Sequence, residues 1–179
     1  MESISGKEPL VRYWMHTGFL SINKEKMSKS KSNFKTIREL LKTHNKETIR
    51  YLFASTNYRK PIDFSEESLN AAKNSVSRLK KIVQGLKDDK KVNEKCLREF
   101  EKEVDDDINL PNGLAVLWKF VRDEKAFGKV RTIKMIDEVF GLGLANVKKL
   151  DIQIPDEVQT LVTAREEARK NKDFKKSDE

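Results

Sequence analysis

Lys26 and Lys29 stand three residues apart in the run Lys26-Met27-Ser28-Lys29-Ser30, with only small or flexible residues between them. Two ammonium groups on such a loop can close over a polyphosphate. There they offset the charge that builds on a departing pyrophosphate, and stabilisation of that kind counts most in a transition state. Ser28 and Ser30 add hydroxyl and backbone donors. A helix starting at Thr36 aims its positive end back toward the same region. The competing reading is a solvated basic loop, which Lys/Ser composition alone favours; the order of residues changes that.

Elements of distinct type must hold this run. Residues 10 to 22, "LVRYWMHTGFLSI", are rich in β-branched and aromatic residues and read as one strand, or two broken near Thr17 and Gly18. Residues 24 to 32 read as a loop. Thr36 with Glu39 forms a capping box for a helix whose apolar side carries Ile37, Leu40 and Leu41. A second helix is expected over 46–57, then a break at "RKPIDFS", where Pro61 disfavours helix before it. Ser65 caps a long helix in which Leu69, Ala72, Val76, Leu79, Ile82, Val83 and Leu86 follow the helical repeat. Residues 87 to 92 form a charged connector. Further helices are expected over 93–106, 111–125, 129–146 and 156–172, with Pro111 and Pro155 at first-turn positions. The fold class is therefore mainly α: a short β segment and loop followed by an antiparallel helical bundle.

Composition sets the class of partner. The chain has 179 residues, 37% charged, with a formal net charge of +8, so an acidic partner is expected and nucleic acid leads. Cys96 is alone, which excludes an internal disulfide and a Cys-rich metal site. His16 and His44 are too few for a metal centre by themselves. The start "MESISGKEPL" lacks the apolar run of a signal peptide, and no run approaches the length needed to span a membrane.

The order of residues says more than their composition. Lys26 to Ser30 spells the KMSKS signature of class I aminoacyl-tRNA synthetases, and its context resembles the cysteinyl-tRNA synthetase family. The matching positions are Tyr13, Trp14, His16, Gly18 and Phe19 before the loop, Asn33 and Phe34 closing it, then Arg50, Tyr51, Tyr58, Arg59 and Pro61. "DDDINLPNGLAVLW" at 105–118 and "AREEARKNKDFKKSDE" at 164–179 resemble two later family segments. Lys31 and Ser32 depart from the family's Leu-Gly, and Ile108 and Leu110 replace Phe and Thr.

The resemblance implies a division into the end of a catalytic domain with the loop (1–35), stem-contact helices (36–64), a tRNA-contacting helical bundle of DALR type (65–150) and the start of an anticodon-side region (151–179). It implies part of a cysteine–tRNA ligase, which activates cysteine with ATP and Mg²⁺ and transfers it to the 3′ end of tRNA-Cys. Lys29 and Lys26 take the catalytic role on the ATP phosphates, with Ser28 and Ser30 as further ATP contacts. Arg59 and Lys60, beside Tyr58, are candidates for the tRNA backbone. Arg50 is a further candidate, with a structural ion pair, for instance to Glu47, as its alternative. Trp14 is expected in the core, and His16 as a structural histidine. Met27 is expected to pack the loop, and the Asp105, Asp106 and Asp107 run to end a helix or pair with bases. The family's zinc ligands and its His-x-Gly-His motif are missing from this sequence, so no metal ligand is assigned. The chain is expected to be a cytoplasmic, monomeric fragment, inactive alone. Two alternatives stand: a free-standing helical tRNA/RNA-binding module that keeps the loop without catalysis, and a structural bundle that docks on another protein.

Overall fold

The computed structural model describes residues 2–28, 34–144 and 156–170, and the chain divides into two compact units, Met1–Val147 and Lys148–Glu179. The architecture is mainly α. In the first unit, α1 (Glu2–Ser5) is a single turn. A hairpin follows of β1 (Leu20–Ile22) and β2 (Glu25–Lys26), then α2 (Ile37–Thr43), α3 (Lys46–Ala54), β3 (Ile62–Asp63), α4 (Glu66–Gln84), α5 (Glu94–Asp105), α6 (Leu110–Arg122) and α7 (Lys129–Phe140). The second unit contributes α8 (Asp156–Lys170). No helix among the described residues is long and apolar enough to cross a membrane.

The caps legible in the sequence are formed. The Thr36 side chain accepts from the Glu39 N–H while the Glu39 carboxylate accepts from the Thr36 N–H, which completes the capping box of α2. Ser65 accepts from the Ser68 N–H at the start of α4, and Asn93 and Asn109 do the same for α5 and α6. Pro111 lies in the first turn of α6, where its missing N–H leaves no helical bond unmade.

Two hydrophobic cores are built on α3 and α4. One joins Leu40, Ile49, Leu52, Ile62, Phe64, Leu69 and Ala72 under the small sheet. The larger one joins Val76 and Leu79 of α4 to α5, α6 and α7, with Leu117, Ile133 and Ile136 fully enclosed. Tyr51 packs against both. At 19 residues, α4 is about 28 Å long, enough to serve one core with its first half and the other with its second.

The structure corrects several expectations. The strand expected over 10–22 shrinks to Leu20–Ile22, and Trp14 is 76% exposed rather than core. Its ring neighbour among the described residues is His16, stacked at 6.4 Å and itself exposed. Alternating apolar residues here lack a facing layer among the described residues, so periodicity without a partner did not produce burial. On α2 only Leu40 is buried, while Ile37 and Leu41 remain half-exposed. The helix expected to reach 146 ends at Phe140, because Gly141 and Gly143 take left-handed φ of 62° and 71°. Pro155, expected to open the last helix, lies outside the described residues.

That turn after α7 is fixed by one buried carboxylate. Asp137 accepts from the backbone N–H groups of Leu142 and Leu144, each at 2.7 Å, and both leucines are buried. Arg50 completes the arrangement from α3: its Nε donates to the Phe140 carbonyl at 2.6 Å and Nη2 to Val139 at 3.3 Å, on the orphan carbonyls of the helix end. A Cβ on Gly141 would come within 2.8 Å of the Arg50 Nε, so glycine is needed there for space as well as for φ. Glu47, the alternative partner of Arg50, pairs instead with Lys80 at 3.6 Å.

A second tie joins the two cores at the surface. Tyr58 and Arg59, in the turn before β3, both donate to Asp107 in the link between α5 and α6. The Oη–Oδ1 distance is 2.6 Å, and the guanidinium makes two bonds of 2.8 and 2.9 Å. The Arg59 guanidinium first, and the Tyr58 hydroxyl second, hold the Asp107 carboxyl down at about 2.

Two outcomes follow. Asp137→Ala leaves the Leu142 and Leu144 N–H groups buried without acceptors, and should lower unfolding stability by about 2–4 kcal/mol, read as a lower urea midpoint at unchanged m-value. Asp107 has a depressed native pKa, so its contribution to stability is complete above the ordinary carboxylate range and fades as pH falls from about 4 through about 2. An NMR titration of its carboxyl carbon should show that low midpoint, and Arg59→Ala should move it back up; an unmoved midpoint would refute the assigned cause.

Candidate functional site: a pinned hairpin that carries the lysine loop

The candidate site begins as a two-residue β-hairpin. β1 and β2 pair antiparallel with Ser21 opposite Lys26 and Ile22 opposite Glu25, and the connecting Asn23 and Lys24 both take positive φ, 53° and 67°. Paired left-handed residues make the turn whose twist matches the strands, and asparagine tolerates the first position well. β3 then adds to β1 in parallel, Leu20 opposite Ile62 and Ser21 opposite Asp63.

Asp63 pins the hairpin to this sheet. Its Oδ1 accepts from the Ser21 hydroxyl at 2.7 Å and from the Lys24 N–H at 2.8 Å, inside the turn itself. The Lys24 N–H first, and the Ser21 hydroxyl next, pull the Asp63 carboxyl below its ordinary value. Sequence reasoning passed over Asp63 as part of a break. Two-residue strands carry almost no periodic signal, but the pair Asn23-Lys24 between "LSI" and "EKM" was a readable hairpin turn.

Gly18 anchors the strand that leads in. Its N–H donates to the Tyr58 carbonyl at 2.7 Å, and a Cβ there would fall on the Lys60 carbonyl and within 2.7 Å of the Pro61 nitrogen. The contact requires glycine by space. The turn at 58–61 thus touches the chain ahead of the hairpin on one side and Asp107 on the other.

Among the sequence-derived site residues, Lys26 ends β2, exposed, with its Nζ 5.7 Å from the Phe19 ring centroid. Met27 is half-buried, its N–H on the Leu20 carbonyl at 2.9 Å, and Ser28 is half-buried beside it. Lys29 and Ser30 lie outside the described residues, as does Asn33. The chain returns at Phe34, half-exposed, just ahead of the capped start of α2. Arg59 and Lys60 are both exposed in the 58–61 turn, Arg59 engaged by Asp107 and at 5.0 Å from the Tyr58 ring. Arg50 lies on the far side of α3, on the end of α7. Arg50 is therefore not brought together with Arg59 and Lys60 by any shared partner.

The zinc that the resemblance implies does not fit the described residues. Cys96 is buried in the larger core, and burial pushes its thiol up to about 11, away from the thiolate that a zinc ion needs. No group of three or more His, Cys, Asp or Glu among the described residues is arranged to hold a metal ion.

Comparison with known proteins gives the same direction. Residues 1–74 match the family "tRNA synthetases class I (C) catalytic domain". Over 99% of its length the chain is 35% identical to a cysteine–tRNA ligase of Ligilactobacillus salivarius, of which it covers 43%. It is 38% identical over 96% to that of Hydrogenovibrio crunogenus, covering 40%, and 34% identical over 96% to that of Lactococcus lactis, covering 39%. The chain thus spans about two fifths of the length of these relatives. The signature run, its flanking residues and the near-complete alignment agree: residues 1–74 match the class I (C) catalytic-domain family, and nearly the whole chain is similar to about two fifths of the length of cysteine–tRNA ligases.

Proposed function

We propose that this chain is the loop-bearing and tRNA-docking part of a cysteine–tRNA ligase. In this reading cysteine and ATP, with Mg²⁺, form an adenylate and pyrophosphate, and the cysteinyl group then passes to the 3′ end of tRNA-Cys. The observation that carries it is the hairpin: the residues matching the family's signature follow a two-residue turn that Asp63 ties to the small sheet. Lysines carried from such a mount suit groups that must meet charge as it develops on a leaving pyrophosphate.

Lys29 and Lys26 carry that role, with Ser28 and Ser30 adding contacts to ATP. Arg59 and Lys60 face the tRNA backbone, and Arg50 contributes through the helix end it holds. The exposed apolar residues Tyr13, Trp14, Phe19, Phe34, Ile37 and Leu41 fit a surface that a nucleotide-binding portion covers. The zinc and the remaining cysteine-selecting groups belong to such a portion. The protein acts as a monomer in the cytoplasm.

Two measurements on the isolated chain test this reading. It should show no cysteine-dependent ATP–pyrophosphate exchange; measurable exchange would remove the assignment of a partial site. It should bind a tRNA-Cys transcript with an affinity that falls on raising salt, by about 0.9 in the log–log slope per phosphate neutralised. Binding indifferent to salt, or none, would exclude a docking role.

A further inference from the structure

A second basic site lies away from the lysine loop, on the face where α3, α4 and α6 meet. Tyr51, Asn74, Ser75, Arg78, Trp118 and Arg122 line an open cavity of about 310 Å³. Trp118 is half-buried against the larger core, and its indole N–H donates to the Tyr51 hydroxyl at 3.0 Å, so the ring is fixed in place. Two guanidiniums use it as a platform: the Cζ of Arg122 lies 4.7 Å from the ring centroid and that of Arg78 5.9 Å.

The lining is chemically one-sided. It holds two permanent cations and no carboxylate. Neither Arg78 nor Arg122 has an acidic partner among the described residues, whereas Arg59, Lys80, Lys119 and Arg131 each have one. The Tyr51 oxygen accepts from the indole, which leaves its own proton to donate outward. The Asn74 amide is exposed at the rim. A cation–π contact with an aromatic ring draws a guanidinium toward it without using its N–H donors, so both forks stay available to a ligand. Such an array takes an anion and rejects a cation or an apolar group.

We propose that this cavity binds a backbone phosphodiester of an RNA strand. The inference rests on the tRNA-docking reading above and adds a specific contact to it, separate from Arg59, Lys60 and the lysine loop. Arginine forks match phosphate oxygens in pairs. An open groove admits one phosphate of a continuous strand while its neighbours run on over the surface, and the net charge of +8 draws a polyanion toward it. An acidic peptide could meet the same forks, and the test separates the two.

The chain contains two tryptophans, so Trp14→Phe leaves Trp118 as the sole fluorescent reporter at the site. In that background, titration with a tRNA-Cys transcript should change the Trp118 emission, while polyglutamate of equal charge should not. The pair Arg78→Gln and Arg122→Gln should weaken tRNA binding by about tenfold and reduce the magnitude of the salt slope by about 1–2. Arg78→Lys with Arg122→Lys, which keeps charge but loses the fork, should recover part of the affinity and controls for any loss of fold in the glutamine pair. Wild-type binding with unchanged affinity and slope in the glutamine pair would overturn this site alone and leave the docking reading standing. A matching Trp118 response to polyglutamate would overturn the choice of RNA. Absence of tRNA binding by the wild-type chain would overturn both.

Discussion

Both hydrophobic cores rest on one pair of helices. α3 and α4 pack along each other, with Ile49, Leu52, Leu69 and Ala72 facing the small sheet and Ala54, Val76 and Leu79 facing the bundle. Everything that positions the hairpin is therefore referred to the same rods as everything that positions α5, α6 and α7. Tyr51 marks the junction: its ring packs against both cores while its hydroxyl accepts from Trp118. Loss of the α3–α4 contact would separate the lysine loop from the basic face rather than simply weaken one of them.

The polar ties reinforce that frame at its ends. Arg50 carries α3 to the end of α7, Asp63 carries the sheet into the hairpin turn, and Arg59 with Tyr58 carries the same segment to the α5–α6 link. The partly buried ties cost more to break than the exposed ones, because a lost partner there leaves a group without water to replace it. The Arg59 and Asp107 pair is about half exposed, so it serves geometry and adds little to global stability.

Helices were legible in the sequence wherever a side chain announces the first turn: Thr36 with Glu39, and Ser65 ahead of a long apolar repeat, gave boundaries that the structure keeps within a residue or two. The resemblance was legible because the order Lys-Met-Ser-Lys-Ser sits in a specific context of twelve flanking positions. What escaped was tertiary in origin. Trp14 lies in an apolar run that no described layer covers. Gly141 ends α7 through its backbone conformation and the space it leaves for a residue 91 positions earlier. Asp63 matters through two bonds to residues about forty positions away. The cluster of Arg78, Trp118 and Arg122 joins two helices, although the Trp-x-x-x-Arg spacing on α6 already put two of its members on one face.

The unequal size of the two cores has a dynamic consequence. Among the described residues the sheet side closes over seven buried residues and the bundle side over sixteen, and cooperative units open in order of the apolar contact that each would lose. The hairpin layer can therefore detach and reseat while α5, α6 and α7 stay folded, with the first half of α4 as the boundary. In amide-exchange terms the protein holds a slow block and a fast block on one continuous helix. The hairpin of β1 and β2 belongs to the fast one, so it can be loosened and re-formed at a small fraction of the free energy that holds the bundle.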